Sequence, residues 1–342
     1  MRICSLLALL TALAAPLLAS ADSGLQRFAF EKAEMGVPFR ITLYARDEPE
    51  AEAGAEAAFA RVEVLNSILT DYDSDSELSR LSRTSGQGKA VPVSGDLWQI
   101  LKRSQELAER TSGAFDITAG PAVNLWRRAR RTRQLPSAEL LEEMRNRVGF
   151  MNLRLNENEQ SAELLRPDMR LDAGGIAKGY AADQALAVLR QRGLSRALVA
   201  ASGDMAAGEP PPDQPGWRVE VSPLDVPGAP PPQILLLRDC GIATSGDASQ
   251  RVEIGGVRYS HIVDPRTGVG LTDHSLVTVV ARDATTADAL ATAASVLGPV
   301  RGVEVVEATP GAAAHHVRQP GEALEVHESK GWRDVPKVPP TR

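Results

Sequence analysis

The chain is poor in cysteine. Of its 342 residues only Cys4 and Cys240 carry thiols, and Cys4 lies in a segment predicted to be removed. An intramolecular disulfide is therefore excluded in the mature protein, whose stability must come from a packed core. Positive charge is also short, with 38 basic against 44 acidic side chains and a net charge of -6. Non-specific nucleic-acid binding needs a basic face that displaces counterions from phosphates, and this balance argues against it. Any phosphate ligand must be held locally by a few placed groups. The apolar run at the N-terminus, residues 6–18, falls short of the roughly 20 residues of a membrane span. What is present is 43% apolar residues, enough for a sizeable core and incompatible with disorder or collagen.

The first residues read as a secretory signal. Arg2 supplies a positive charge, residues 6–18 are apolar except for Thr11 and Pro16, and Ala19-Ser20-Ala21 has the small-x-small form of a cleavage site. Residues 1–21 are thus expected to leave on export to the periplasm, and no cysteine follows them to accept a lipid. The mature chain, 22–342, shows no internal repeat and no clean linker, and its last residues, about 333–342, read as a loose tail. Residues 35–45 read as a strand, and apolar residues at helical spacing predict helices over 55–69, 96–110, 137–147, 179–192 and 286–297, the last ending at Gly298-Pro299. Strands are expected at 196–201 and 275–281. Gly255-Gly256 between two short strands reads as a two-residue hairpin turn. This mixture lacks regular alternation, so the expected class is α+β, with largely antiparallel sheets and packed helices.

Four segments carry the chemistry. Leu171-Asp172-Ala173-Gly174-Gly175-Ile176-Ala177-Lys178-Gly179 leads into a helix, so backbone groups can approach a phosphate or an ion while Lys178 adds charge. The plain alternative is a tight turn. Asp288 and Thr292, four apart, share one helical face and offer hard oxygens suited to Mg²⁺. Alternatively the aspartate serves the helix dipole. His261, beside Asp264-Pro265, suits proton transfer at neutral pH, or is satisfied by a carbonyl at a strand end. Gly113-Ala114-Phe115-Asp116 is a small-residue loop with one aromatic and one carboxylate. Apart from these, Arg127-Arg128-Ala129-Arg130-Arg131-Thr132-Arg133 reads as a solvated face or a docking patch.

Together with Met35-Gly36, the 71–81 loop, Thr244-Ser245-Gly246-Asp247, His261-Ile262-Val263-Asp264-Pro265-Arg266-Thr267-Gly268 and Ala287-Asp288-Ala289-Leu290-Ala291-Thr292, these segments resemble the ApbE family of FAD:protein FMN transferases. The chain departs from the usual pattern at Ala200-Ala201-Ser202-Gly203-Asp204 and at Ala248-Ser249-Gln250. The resemblance implies a two-lobed catalytic domain with an FAD cleft. It also implies Mg²⁺-dependent transfer of FMN from FAD to a threonine of a partner protein bearing an Asp-x-x-Thr-Ser/Ala-Thr motif, with release of AMP. An acceptor in a membrane complex fits that pattern. On the same resemblance Gly175, Asp288 and Thr292 hold the metal, and Met35, Tyr72, Ala114, Phe115, Asp116, Asp172, Lys178 and Ile262 line the FAD site. His261 is the base. Two rivals stay open, an FAD pyrophosphatase giving FMN and AMP and a non-catalytic exported flavin-binding protein.

Overall fold

The structure, a computed structural model, describes residues 24–247 and 250–339. The expected signal segment, residues 1–21, lies outside them, as do Ala248 and Ser249. Eight strands form the main sheet: β1 (Gln26–Glu34), β2 (Val37–Ala45), β3 (Ala197–Ala201), β4 (Asp204–Ala207), β5 (Cys240–Gly246), β6 (Ser275–Ala281), β7 (Ala313–Arg318) and β8 (Glu325–Glu328). Their spatial order equals their chain order, and every neighbouring pair is antiparallel. The α+β expectation holds, and the sheet is a meander whose connections carry the rest of the protein.

Two-residue turns set its register. Met35 and Gly36 have φ of 50° and 77° between the paired residues Glu34 and Val37, the positive-φ geometry that matches strand twist. The strand expected to begin at Met35 therefore begins at Val37, and Met35 lies in the turn. Gly255 and Gly256, with φ of 60° and 79°, close the hairpin predicted for them.

Side chains alternate along each strand, and both faces of the sheet are covered. On one face Phe39, Ile41, Leu43, Val199, Val277 and Val279 pack against three helices, α1 (Glu48–Leu69), α4 (Ala177–Gln191) and α5 (Ala284–Glu307). Each fully buried Val, Leu or Ile contributes about 1.5–3 kcal/mol relative to exposure. On the other face Leu198, Met205, Ile242, Val280 and Ala313 meet Trp332 and a hairpin of Trp217–Val221 and Gln233–Leu237. Helix α2 (Gly95–Thr111) is capped by Ser94, and α3 (Gly120–Thr132) packs Trp126 on Tyr259 and Val263 in a separate hydrophobic cluster.

Helix α5 is long and apolar enough to cross a membrane by composition, yet it packs against β5 and β6. Gly298, at φ 75° ahead of Pro299, breaks it as predicted, and a second helical stretch then continues to Glu307. The tail read as loose is fastened as far as it is described. Leu236 donates to the Pro336 carbonyl at 2.8 Å, and Val338 to that of Ile234 at 2.8 Å.

His316 in β7 is 1% exposed, and neither ring nitrogen has a hydrogen-bond partner among the described residues. Burial, reinforced by His327, Arg318 and His315, pushes it down from 6.5 to about 4. Unfolded chains bind the proton first as pH falls, so stability is lost between pH 6.5 and 4. About 2 kcal/mol should be lost between pH 7 and 5 from this group alone. His316→Leu should flatten the pH dependence of thermal unfolding by that amount; an unchanged slope would show that the ring is solvated.

Candidate active site

The candidate residues gather at one end of the sheet. The β1–β2 turn, the Ser202-Gly203 turn before β4 and the C-terminal end of β5 lie there, joined by hydrogen bonds from Ser202 N to Pro38 O and from Thr244 N to Gly203 O. Against this end the loop 172–176 enters α4, and α5, which starts at the other end of the sheet beside Gly241, runs antiparallel to α4 until Thr292 reaches Ser245.

Close approach of these helices depends on missing side chains. A Cβ on Gly179 would meet the Ala284 carbonyl oxygen at 2.2 Å and Asp288 Cβ at 2.8 Å. Without it, Gly179 N donates to Asp288 Oδ2 at 3.0 Å. Gly175 approaches Thr292 similarly: an added Cβ would lie 3.1 Å from Thr292 Oγ1 and 3.3 Å from a Phe115 ring carbon. The Thr292 hydroxyl thus lies against the Gly175 backbone, and the Asp288 carboxylate lies one helical turn before it against Gly179 N. Ser245 Oγ stands 3.5 Å from Thr292 Oγ1. Hydrogen bonds among the described residues engage only Oδ2 of Asp288, leaving Oδ1 for another partner. These hard oxygens, beside a backbone position where a Cβ would press on Thr292 and Phe115, fit a cation such as Mg²⁺.

Lys178 is the cation already present. Its Nζ pairs with Asp204 and stands 3.8 Å from Asp288 Oδ2. Burial alone would lower the lysine, but the charges of Asp288 and Asp204 outweigh it and hold the ammonium protonated above the usual lysine range. Burial and the neighbouring Asp288 raise Asp204.

A second network joins the 71–75 loop to the glycine loop. Arg127 pairs with Asp71 and reaches Asp172 Oδ2 at 3.2 Å, while its guanidinium lies 4.4 Å above the Tyr72 ring. Tyr72 is 81% exposed, so one face of a flat ring stays open to solvent. Asp172 Oδ1 accepts from Gly174 N at 2.8 Å, shaping the loop. Arg127 is therefore a connecting residue and no member of a free basic patch.

Other expected residues act differently from a direct lining. Both carboxylate oxygens of Asp116 are engaged, by Thr118 N and Oγ1 at 2.8 and 2.7 Å and by Phe150 N at 2.9 Å. Asp116 and Ala114 are buried, and the carboxylate fixes the loop that presents Phe115 to Gly175. Met35 packs against the main core at the edge of this end. Ile262 N is held by Ser260 Oγ at 3.0 Å.

His261 Nδ1 stands 3.2 Å from the Gln250 carbonyl, which can only accept. The proton thus sits on Nδ1, and Nε2 keeps a lone pair. Burial lowers its basicity, and Arg130 and Lys178 lower it further, so the ring is neutral at pH 7. Nearby, buried Asp247 accepts from Arg258 at 2.5 Å and pairs with His274 at 2.7 Å.

Sequence reasoning missed three partners: Asp204, Arg127 and Asp183. The last accepts from Ala284 N at 2.9 Å and Thr285 N at 2.8 Å, capping α5 just ahead of Asp288. The Asp-x-x-helix pattern signals caps only within one element, and Asp183 caps a helix 101 residues away.

A meander sheet backed by three helices, with a lysine between two carboxylates beneath a glycine loop, defines an α+β enzyme with its charged groups gathered at one end. The ApbE family model matches residues 35–315. A curated relative from Klebsiella pneumoniae, named FAD:protein FMN transferase, is 32% identical over 311 residues, covering 87% of this chain and 86% of its own. One of the same name from Vibrio cholerae is 34% identical over 250 residues, covering 72% and 74%. The solved Pseudomonas stutzeri flavinyl transferase ApbE, apo form, has a TM-score of 0.80 at 29% identity, covering 91% of this chain and 97% of that one. Flavin transferase ApbE from Vibrio cholerae has a TM-score of 0.79 at 27% identity, covering 91% and 99%. This chain belongs to the ApbE family.

Asp183→Ala should remove the cap and leave two buried N–H groups unpaired, lowering stability by about 1–3 kcal/mol. Urea unfolding checks this; a loss below about 0.5 kcal/mol would contradict the capping role.

Proposed function

We propose that the protein transfers the FMN half of FAD to a threonine hydroxyl of a partner protein, in a Mg²⁺-dependent reaction that releases AMP. The observation that carries this reading is the juxtaposition of Gly175, Thr292, Asp288 and Lys178, and the names of the relatives support flavin transfer in general. Export to the periplasm belongs to the same proposal and rests on the N-terminal pattern.

In this reading the threonine oxygen attacks the phosphorus of the FMN half. A phosphoester bond forms there, the diphosphate P–O–P bond breaks, and AMP leaves with the bridging oxygen. Mg²⁺ held by Asp288, Thr292 and the Gly175 carbonyl would neutralise charge on the phosphoryl oxygens. Lys178, kept protonated by its two carboxylates, supplies a fixed positive charge on the same side. The loop 172–176 ends at a helix N-terminus, whose N–H groups favour an anion. A threonine hydroxyl is a weak nucleophile, and the His261 Nε2 lone pair can take its proton. The ring's lowered basicity keeps that lone pair available at neutral pH. The exposed Tyr72 ring, backed by Arg127, offers a stacking surface for a flat heterocycle.

Incubating the mature protein with FAD, Mg²⁺ and a peptide carrying Asp-x-x-Thr-Ser/Ala-Thr should add the mass of FMN to the threonine. Free FMN and AMP without a modified peptide would replace the transferase by a pyrophosphatase, and unchanged FAD would leave a binding protein. Asp288→Ala should abolish turnover; transfer at the original rate would show that the metal site is misplaced. His261→Ala should lower transfer by about 10²–10⁴-fold with FAD binding retained, as expected for loss of a general base.

A further inference from the structure

Helix α3 and its C-cap carry five arginines in the seven residues 127–133. Arg127 is taken up by Asp71 and Asp172. Among the described residues no carboxylate forms an ion pair with Arg128, Arg130, Arg131 or Arg133, in a chain whose net charge is -6. Arg128, Arg131 and Arg133 are exposed. Positive charge near a helix C-terminus is favoured by the dipole, but like charges at i,i+3 spacing repel. The arrangement therefore favours an external anion.

Its location narrows the choice. Trp126 Nε1 in α3 donates to the Ser260 carbonyl at 2.9 Å, so the helix is pinned beside the strand that leads to His261. Arg130, on the same helix, is close enough to His261 to disfavour its protonation. The exposed arginines therefore lie on an element packed beside the segment that carries His261. Residues 128–133 span about 8 Å at 1.5 Å per residue. An extended segment of three or four residues, at about 3.3 Å each, covers that length. The dimensions suit a short acidic stretch of polypeptide.

We propose that Arg128, Arg131 and Arg133 form a docking surface for an acidic segment of the acceptor protein, adjacent in its sequence to the hydroxyl that receives the flavin phosphate. This rests on the flavin-transfer reading, which makes a protein the second substrate.

Two variants of the full mature chain test it, Arg128→Gln/Arg131→Gln/Arg133→Gln and the corresponding triple Glu substitution. The probe is a fluorescein-labelled 15-residue peptide with one threonine and four Asp or Glu residues, compared with its Asn/Gln counterpart by anisotropy without FAD. The wild type should prefer the acidic peptide about tenfold, less so at high salt, and the Gln variant should lose that preference. The Glu variant should instead favour a lysine-substituted peptide. With FAD and Mg²⁺, KM for the acidic peptide should rise in the Gln variant while kcat stays unchanged. Equal wild-type affinity for both peptides overturns the proposal, as does undiminished binding in the variants. Arginine-dependent sedimentation with anionic phosphatidylserine vesicles and no effect on peptide affinity also overturns it, in favour of a membrane surface. Arginine-dependent peptide binding with no FMN transfer overturns the transferase reading and leaves the docking surface standing.

Discussion

One ammonium between two buried carboxylates sets the terms for this end of the molecule. Lys178 comes from the first turn of α4, Asp204 from the start of β4 and Asp288 from α5, so a single charge cluster ties a helix, a sheet turn and a second helix together. Two carboxylates against one ammonium leave a net negative charge in a partly dry place. Removing one member of such a buried pair typically costs about 3–5 kcal/mol, because the other charge is left uncompensated. A divalent cation beside Asp288 would relieve that imbalance. The residue that makes an acidic protein more acidic is also the one suited to hold a metal, and through it a diphosphate.

Close backbone approach is the second constraint, and it follows from the first. Asp288 can accept from Gly179 N only because no Cβ separates α4 from α5. Where Gly175 meets Thr292 and Phe115 the fit is less strict, and a Cβ would be tight against both. Asp183 then fixes the start of α5, and Arg127 fixes the glycine loop from the opposite side through Asp172. The candidate site is therefore assembled by positioning residues outside the motif positions themselves, each using hydrogen bonds across elements far apart in sequence.

Much of the architecture was legible from the chain. Helix spacing located α1, α2, α4 and α5 to within a turn or so at most ends, because their buried faces are lined by Ala, Leu and Val at period 3.6. Paired glycines located the 255–256 hairpin. By contrast β1 was missed: only Phe28 and Phe30 are large and apolar among its exposed polar residues, and pairing with β2 makes it a strand. The start of α5 was placed two residues late, since its cap is Asp283 with help from Asp183. The 333–342 segment looked loose because proline and charge dominate it, yet backbone pairing to Ile234 and Leu236 needs no sequence signature.

The same division applies to the site. Asp288, Thr292 and Gly175 were readable because they sit in local patterns, i,i+4 on a helix and glycine before a helix. Asp204 and Arg127 were not, because their partners lie 26 and 45 residues away and only folding joins them. Asp116 shows the reverse: a carboxylate in a promising loop spends one oxygen on Thr118 of that loop and the other on the backbone N–H of Phe150, 34 residues away.

The central claim is that a diphosphate is held between Lys178 and a cation bound by Asp288 and Thr292. Crystals grown with FAD and Mn²⁺ test it most directly, through the anomalous signal of the metal. The account predicts a peak within bonding distance of Asp288, Thr292 Oγ1 and the Gly175 carbonyl, with diphosphate oxygens facing Lys178. FAD bound with no metal peak there, or a peak coordinated by other residues, would contradict it.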